Sequence, residues 1–292
     1  MTRTTLLGGL TFALLATVPA WAADYAAPVE EPVDDLCAVS SLNGKIHGQG
    51  GVFDADDVDS EGQFQGVGSL SLPLGCMFGA QIDAGAGAFG DLNAIGVGGH
   101  FFMRDPSSHL IGIHATFENW DLDDLGDDVG IWRVGPEVEL YLANISLEAW
   151  VGIEDGDDID SSFFARLSAG YYVYEDLRLG AGWRHSHDID SAVINAEWQL
   201  SAMPLSLTAE AEFGENDFTS IMGGVKFYFG GSSKALIDRH RQDDPADGLF
   251  DFLGGAAGLG DDDGPKCGVC QDNAAADGCC TDGCCTDLTV SR

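Results

Sequence analysis

The chain has 292 residues, and its 48 Asp+Glu against 13 Lys+Arg give a formal net charge of −35 at pH 7. So acidic a chain repels the phosphates of nucleic acids, which argues against nucleic-acid binding. After residue 30, charges, glycine pairs or amides break every apolar stretch before it reaches the roughly 20 residues of a transmembrane helix. The mature chain is therefore expected to be soluble or to span a membrane as strands.

The first 22 residues have the pattern of a secretory signal peptide. Arg3 is followed by the apolar run from Leu6 to Val18, and Ala20-Trp21-Ala22 is typical of a cleavage site. We therefore expect export, with residues 23–40, which are rich in proline and acidic residues, as a periplasmic lead-in.

Residues 41–230 alternate apolar and polar side chains, which is the pattern of half-exposed β-strands. In residues 110–118, for example, Ile111, Ile113 and Phe117 share one face, whereas His114 and Glu118 share the other. Twelve strands of membrane-spanning length are predicted at 42–53, 62–73, 76–89, 93–104, 109–120, 129–142, 144–154, 162–174, 177–187, 191–201, 204–213 and 219–229.

The predicted connections also alternate. Odd-numbered connections are acidic, and three of them, 54–61, 121–128 and 154–160, are expected to be long loops, whereas even-numbered connections such as Pro73-Leu-Gly75 are short turns. Long loops at one end and short turns at the other are typical of an outer-membrane barrel.

The phase of the alternation assigns an outer and an inner face. All seven Lys and Arg residues of the region fall in the polar phase, as a lipid-facing wall requires, whereas aromatic residues lie near strand ends in the apolar phase. The aromatic residues toward the acidic connections are Phe64, Phe117, Trp132, Phe163, Trp183 and Phe213.

These features predict an all-β fold, namely a single antiparallel up-and-down transmembrane β-barrel of about 12 strands over residues 41–230. Its acidic loops are expected to be extracellular and both termini periplasmic. Residues 231–292 are expected to form a largely disordered periplasmic tail rich in Asp, Gly and Cys. In that tail Leu249, Phe250, Phe252 and Leu253 form a short apolar patch that is expected to dock elsewhere. The alternative fold is a soluble secreted β-protein.

The eight cysteines form two sets. Cys37 precedes the first strand and Cys76 begins the third, so both are expected at the periplasmic rim, where an oxidising compartment favours a disulfide between them. The tail cysteines are expected to form disulfides of unknown pairing, with a thiolate metal site as the alternative. They are Cys267, Cys270, Cys279, Cys280, Cys284 and Cys285.

The end of the twelfth strand carries a family resemblance. Gly224-Val-Lys-Phe-Tyr-Phe229 resembles the closing strand of outer-membrane barrels, and Lys234-Ala-Leu-Ile-Asp-Arg-His-Arg-Gln-Asp-Asp-Pro245 resembles the extension behind the barrel in porin-like proteins of alphaproteobacteria. The resemblance implies that the barrel-assembly machinery reads the strand ending at Phe229. The long tail departs from most such barrels.

The inward polar residues are the candidate functional residues. Opposed basic and acidic side chains in a lumen would sort solutes by charge, whereas the same residues in a narrow barrel would form a salt-bridged core. The predicted pore-lining residues are Lys45, His47, His114, Arg133, Glu137, Glu139, Glu148, Arg166, Arg184, Glu197, Glu210 and Glu212.

Other chemistry is less supported by the sequence. The acidic loops are expected near lipopolysaccharide, where divalent cations are possible partners, although none matches a calcium-loop motif. Arg184-His185-Ser186-His187-Asp188 places Ser and His on opposite faces, which is unfavourable for a nucleophile–base pair. No enzyme activity, resident metal or cofactor is expected.

The sequence thus favours a passive porin-like channel for small hydrophilic solutes or ions, with outer-membrane lipid as its surroundings. The alternative is a non-conducting structural or surface-interaction barrel with cation-binding acidic loops.

Overall fold

The computed structural model describes residues 36–55, 58–121, 128–157, 159–200, 203–215, 217–230 and 234–253. The predicted signal peptide, the lead-in up to residue 35 and the cysteines of the tail lie outside these residues. In the described part of the chain, no helix is long and apolar enough to cross a membrane.

The structure has twelve β-strands followed by one short helix. The strands are β1 Asn43–Ala55, β2 Val58–Leu74, β3 Phe78–Phe89, β4 Leu92–Asp105, β5 His109–Asp121, β6 Val129–Leu142, β7 Ile145–Gly156, β8 Ile159–Tyr174, β9 Leu177–Ser186, β10 Ile189–Gln199, β11 Leu205–Gly214 and β12 Thr219–Gly230. The helix α1 is Leu236–Gln242.

Each strand pairs antiparallel with its neighbours in sequence, and β1 pairs with β12 to close the barrel. The closing register runs from Asn43 opposite Gly230 to Asp54 opposite Thr219. A closed ladder leaves no strand edge unpaired. The prediction of a twelve-stranded up-and-down barrel is confirmed.

The predicted long loops need correction at two of the three acidic connections. β1 continues to Ala55 and β2 begins at Val58, while β7 continues to Gly156 and β8 begins at Ile159. Most of the acidic residues there belong to strand ends, because paired backbones satisfy each other's hydrogen bonds even where the side chains are charged. The strands of both hairpins are therefore longer than the roughly 9–11 residues that a strand needs to cross a bilayer.

The predicted facing of the strands is confirmed. Ile82 is 59% exposed, Ile95 63% and Phe64 61%, all on the outer wall. All seven basic residues of the strands face the interior, where Lys45, Arg104 and Arg133 are buried. The six predicted aromatic residues at the acidic end all lie exposed on the outer wall.

The segment before β1 covers the end of the barrel that carries the short turns. Cys37 and Cys76 form the predicted disulfide. The N–H of Ala38 donates to the carbonyl oxygen of Cys76 at 2.7 Å, and Val39 packs against Phe102 and Leu110 inside the barrel. The covalent bond thus fastens the segment across this end.

The described residues after β12 lie at the short-turn end and inside the barrel. α1 lies at the short-turn end, where the N–H of Ile237 donates to the carbonyl oxygen of Glu175. Residues 243–253, which we name the lumen segment, then run through the interior and reach Trp120 and Phe89 near the acidic end. Residues 234–253 of the predicted tail thus pack at or inside the barrel, and the apolar patch within them docks on the inner wall.

We expect loss of the disulfide to destabilise the barrel. In the double substitution Cys37→Ser and Cys76→Ser, the free energy of unfolding should fall by about 2–4 kcal/mol, because the 39-residue separation no longer restricts the unfolded chain. Urea unfolding of the refolded protein in lipid vesicles measures this. An unchanged midpoint and slope would contradict it.

Candidate functional site

The lumen is the candidate site, and the structure places all twelve predicted pore-lining residues on its inner wall. Eight of them border a residual cavity, whereas the other four are packed away from it. The eight are Lys45, His47, Glu139, Glu148, Arg166, Arg184, Glu197 and Glu210. The four are His114, Arg133, Glu137 and Glu212, which are buried.

The basic residues Arg133 and Arg178 pair with acidic residues on other strands of the wall. Arg133 contacts Glu118 at 3.2 Å and Glu154 at 2.9 Å rather than Glu137 or Glu139. Arg178 was not among the predicted lining residues, and its Nη2 lies 2.8 Å from Glu148 Oε1. The ladder register explains this, because side chains meet across neighbouring strands rather than along one strand.

The lumen segment supplies acidic partners to three of these basic residues. Lys45 Nζ lies 2.6 Å from Asp244 and 3.3 Å from Asp247. Asp251 pairs with both Arg166 and Arg184. Buried charges are tolerated only when they are paired, so these contacts remove the cost of leaving lysine and arginine desolvated in the lumen.

Near the acidic end the lumen segment is apolar. Leu249, Phe250 and Leu253 join a buried cluster with inward side chains of the wall, and the N–H of Phe250 donates to Glu118 Oε1 at 2.9 Å. The wall contributes Phe53, Val67, Phe89, Ala94, Trp120, Ile131 and Phe218 to this cluster. The cluster places an apolar layer across the lumen near this end.

A stack of rings lies beside the lumen segment. His114 stacks on Trp150 at 4.0 Å between ring centroids, Phe252 packs on Trp150, and the Arg133 guanidinium lies over the Phe252 ring. Gly248 has φ +71°, and a Cβ there would lie 2.7 Å from His114 Cε1. Glycine is therefore required both by the backbone conformation and by the close approach.

The space that remains in the lumen is small. Between the wall and the lumen segment the cavity measures about 190 Å³. The described residues therefore fill much of the lumen.

The serine–histidine motif does not form a nucleophile–base pair. Ser186 Oγ points inward and donates to Glu154 Oε2, whereas His185 Nδ1 lies 2.8 Å from Asp190 on the other side of the strand. The geometry agrees with the predicted opposite faces for His185. The prediction is wrong for His187, since its Nε2 lies 3.5 Å from Glu154 Oε2, the oxygen that accepts from Ser186.

Sequence reasoning missed the role of the lumen segment. Asp244, Asp247 and Asp251 were assigned to a largely disordered tail, without a partner in the barrel, yet each pairs with a basic residue of the wall. The available signal was the apolar patch from Leu249 to Leu253, which is placed after the barrel and needs a partner surface.

Comparison with known proteins gives distant likenesses to solved barrels. No family model and no curated protein matches the chain. A KdgM porin in complex with disordered oligogalacturonate has 10% identity and a TM-score of 0.49, covering 64% of this chain and 99% of that one.

The translocator domain of the autotransporter NalP from Neisseria meningitidis has 9% identity and a TM-score of 0.46, with 65% and 88% covered. The Acinetobacter baumannii outer membrane protein Omp33 has 12% identity and a TM-score of 0.39, with 65% and 100% covered. These neighbours are bacterial outer-membrane β-barrels. At such identities they do not indicate what this chain does.

We expect Gly248→Ala to loosen the lumen segment. A left-handed conformation costs alanine about 1–2 kcal/mol, and the new methyl group also meets His114. Hydrogen exchange of residues 244–253 should become faster by about tenfold or more, while the strands stay protected.

Gly48→Ala is the matched control, because a Cβ at Gly48 meets nothing within 4 Å. Equal exchange rates in the Gly248 variant and the wild type would show that the close approach to His114 does not hold the segment.

Proposed function

We propose that the chain is a porin-like barrel of a bacterial outer membrane, and that its lumen segment keeps a pathway for small hydrophilic solutes or ions closed until the segment moves. The observation that carries the membrane assignment is that the barrel exposes apolar side chains and buries charged ones, the reverse of a soluble protein. Apolar side chains such as Ile82 and Ile95 are exposed outside, whereas charged side chains are buried within. In water that arrangement would leave a large apolar surface uncovered.

Outer-membrane placement agrees with the predicted signal peptide. We propose that the acidic end faces outward, where divalent cations would bridge its carboxylates to lipopolysaccharide, and that the disulfide end is periplasmic. Leu253 lies in the apolar cluster at the acidic end. The alphaproteobacterial kinship and recognition of the Phe229 strand by the assembly machinery stay predictions.

The closed pathway is supported by the nature of the contacts between segment and wall. Lys45, Arg166 and Arg184 each have a partner in the lumen segment, so withdrawal of the segment would leave three cations facing a hydrated lumen. Separating a charged pair into water costs less free energy than exposing an apolar core to water. The polar part of the segment is therefore suited to reversible release, and the apolar cluster supplies most of the resistance.

The alternative function is a non-conducting structural barrel. The specific observation that favours it is the apolar cluster around Phe250, which makes the closed conformation resemble a folded core. In that case the lumen segment would be a permanent part of the barrel, and the acidic end would carry the interactions.

The membrane assignment predicts a penalty for a charge at mid-wall. Ile82→Lys, in the middle of β3, should destabilise the barrel in lipid vesicles by about 2–4 kcal/mol, since lysine would face hydrocarbon. Leu74→Lys, at the end of β2, is the matched control and should cost about 0–1 kcal/mol. Equal stability of the two variants would instead support a soluble barrel.

The gating proposal predicts channel opening when the apolar cluster is broken. Phe250→Asp puts a carboxylate beside Glu118 in the apolar layer, which should expel the segment and produce discrete conductance steps in a planar bilayer, while the wild type stays mostly closed. Asp238→Asn, on the exposed face of α1, is the control and should behave as the wild type.

A second substitution tests whether Arg166 sets the ion preference of the opened barrel. Adding Arg166→Gln to Phe250→Asp removes a lumen cation that has lost Asp251, so the ion preference should shift toward cations. If the Phe250 variant folds, as shown by heat-modifiable gel mobility, and remains silent, the channel proposal fails and the structural barrel is favoured.

A further inference from the structure

Three strands bring a group of metal-binding side chains together inside the wall. Asp83 on β3, His100 on β4 and His114 on β5 are all buried, and their ligand atoms lie within 4.8 Å of one another. The ladder places His100 directly opposite His114, and Asp83 lies one strand further along, opposite Gly98. The sequence analysis placed His114 among the inward residues, but it did not predict a common site for the three.

Several nitrogen and oxygen atoms in and beside this group lack hydrogen-bond partners among the described residues. They include Nε2 of His100, Oδ2 of Asp83, Oε1 of Glu137 and at least one ring nitrogen of His114, whose ring also lies near the backbone of Asp247. His100 Nε2 and Asp83 Oδ2 are 3.2 Å apart but are not aligned as a hydrogen bond. Buried polar atoms without partners are rare and costly, and several together indicate that something polar belongs between them.

Glu137 orients the His100 ring by contacting its Nδ1, the nitrogen directed away from Asp83. Its Oε2 lies 2.8 Å from His100 Nδ1, so a proton on Nδ1 leaves the lone pair of Nε2 directed toward Asp83. Gly112 makes this reach possible, because a Cβ at that position would lie 2.7 Å from Glu137 Oε1. A carboxylate that accepts from the far nitrogen of a histidine is the usual arrangement behind a metal-bound imidazole.

A lone pair of His100 and a carboxylate of Asp83 at 3.2 Å repel each other unless a positive charge lies between or beside them. A second proton on His100 would supply that charge, but it would give no partner to the ring nitrogen of His114 that belongs to this group. A metal ion bound by Asp83, His100 and His114 satisfies all three residues at once.

We propose that Asp83, His100 and His114 bind a divalent first-row transition metal ion of the zinc type, with Glu137 as the positioning residue. Two imidazoles and one carboxylate suit Zn²⁺, and three protein ligands leave a fourth position open. With metal–ligand bonds of about 2.1 Å, tetrahedral ligands lie about 3.4 Å apart, so the ligand atoms need to close by about 1.5 Å at most. The rings of His100 and His114 stack at 3.6 Å between centroids, so one of them must also turn for both nitrogens to face the ion. The proposal does not depend on conduction.

The test uses the full-length chain with all six tail cysteines replaced by serine, so that thiolates do not bind the probe. The protein is refolded with Zn²⁺ in the presence of excess Mg²⁺, dialysed, and its zinc content measured by atomic emission. We expect one Zn²⁺ per chain and a raised unfolding temperature. Folded protein that retains no zinc would overturn the proposal.

Substitutions separate this site from other histidines and acids. His114→Gln and Asp83→Asn should each lower Zn²⁺ affinity by at least about 100-fold, and Glu137→Gln by about 10–100-fold, as expected for an outer residue. His185→Gln is the matched control, because His185 pairs with Asp190 away from the group, and its affinity should equal that of the wild type. Unchanged affinity in the first two variants would assign the zinc to another site and overturn the proposal.

One measurement needs no substitution in the group, in case those variants fail to fold. Cu²⁺ bound to the same full-length protein should give an electron paramagnetic resonance spectrum with couplings to two imidazole nitrogens. Coupling to one nitrogen or to none would overturn the assignment of His100 and His114 as joint ligands.

Discussion

The pairing of β1 with β12 is the constraint on which the rest of the structure depends. Without it twelve strands form an open sheet with two unpaired edges, and no interior exists. The seam needs close backbone approach, since a Cβ at Gly51 would lie 1.8 Å from the carbonyl oxygen of Ile221. Small residues at this seam thus allow the ladder to close, and closure decides which side chains become interior.

Closure then creates a problem of charge, because every lysine and arginine of the wall is directed inward. Neighbouring strands solve part of it, as the contacts of Arg133 with Glu118 and Glu154 show. Lys45 and Arg166 instead take their carboxylates from the lumen segment. The acidic residues after the barrel are therefore complementary to its wall, and the segment completes the interior rather than merely following it.

The strands and their facing could be predicted because period-two alternation is local to each strand. The lumen segment could not, since Lys45 and Asp244 are far apart in sequence and nothing local joins them. The acidic hairpin ends were misjudged because a run of aspartates lowers strand propensity, while pairing across the hairpin overrides it. The group at His100 required the exact register, since a slip of one residue would turn the ring outward.

The two proposed sites meet at one contact, which couples them physically. Gly248 of the lumen segment packs on His114, so the position of that ring is part of the surface on which the segment rests. An ion that fixes His114 would change the free energy of docking the segment. By linkage, docking must change the affinity for the ion by the same factor. Because interiors are close-packed, a shift of the ring by a few tenths of an ångström is enough to favour or oppose closure of the lumen.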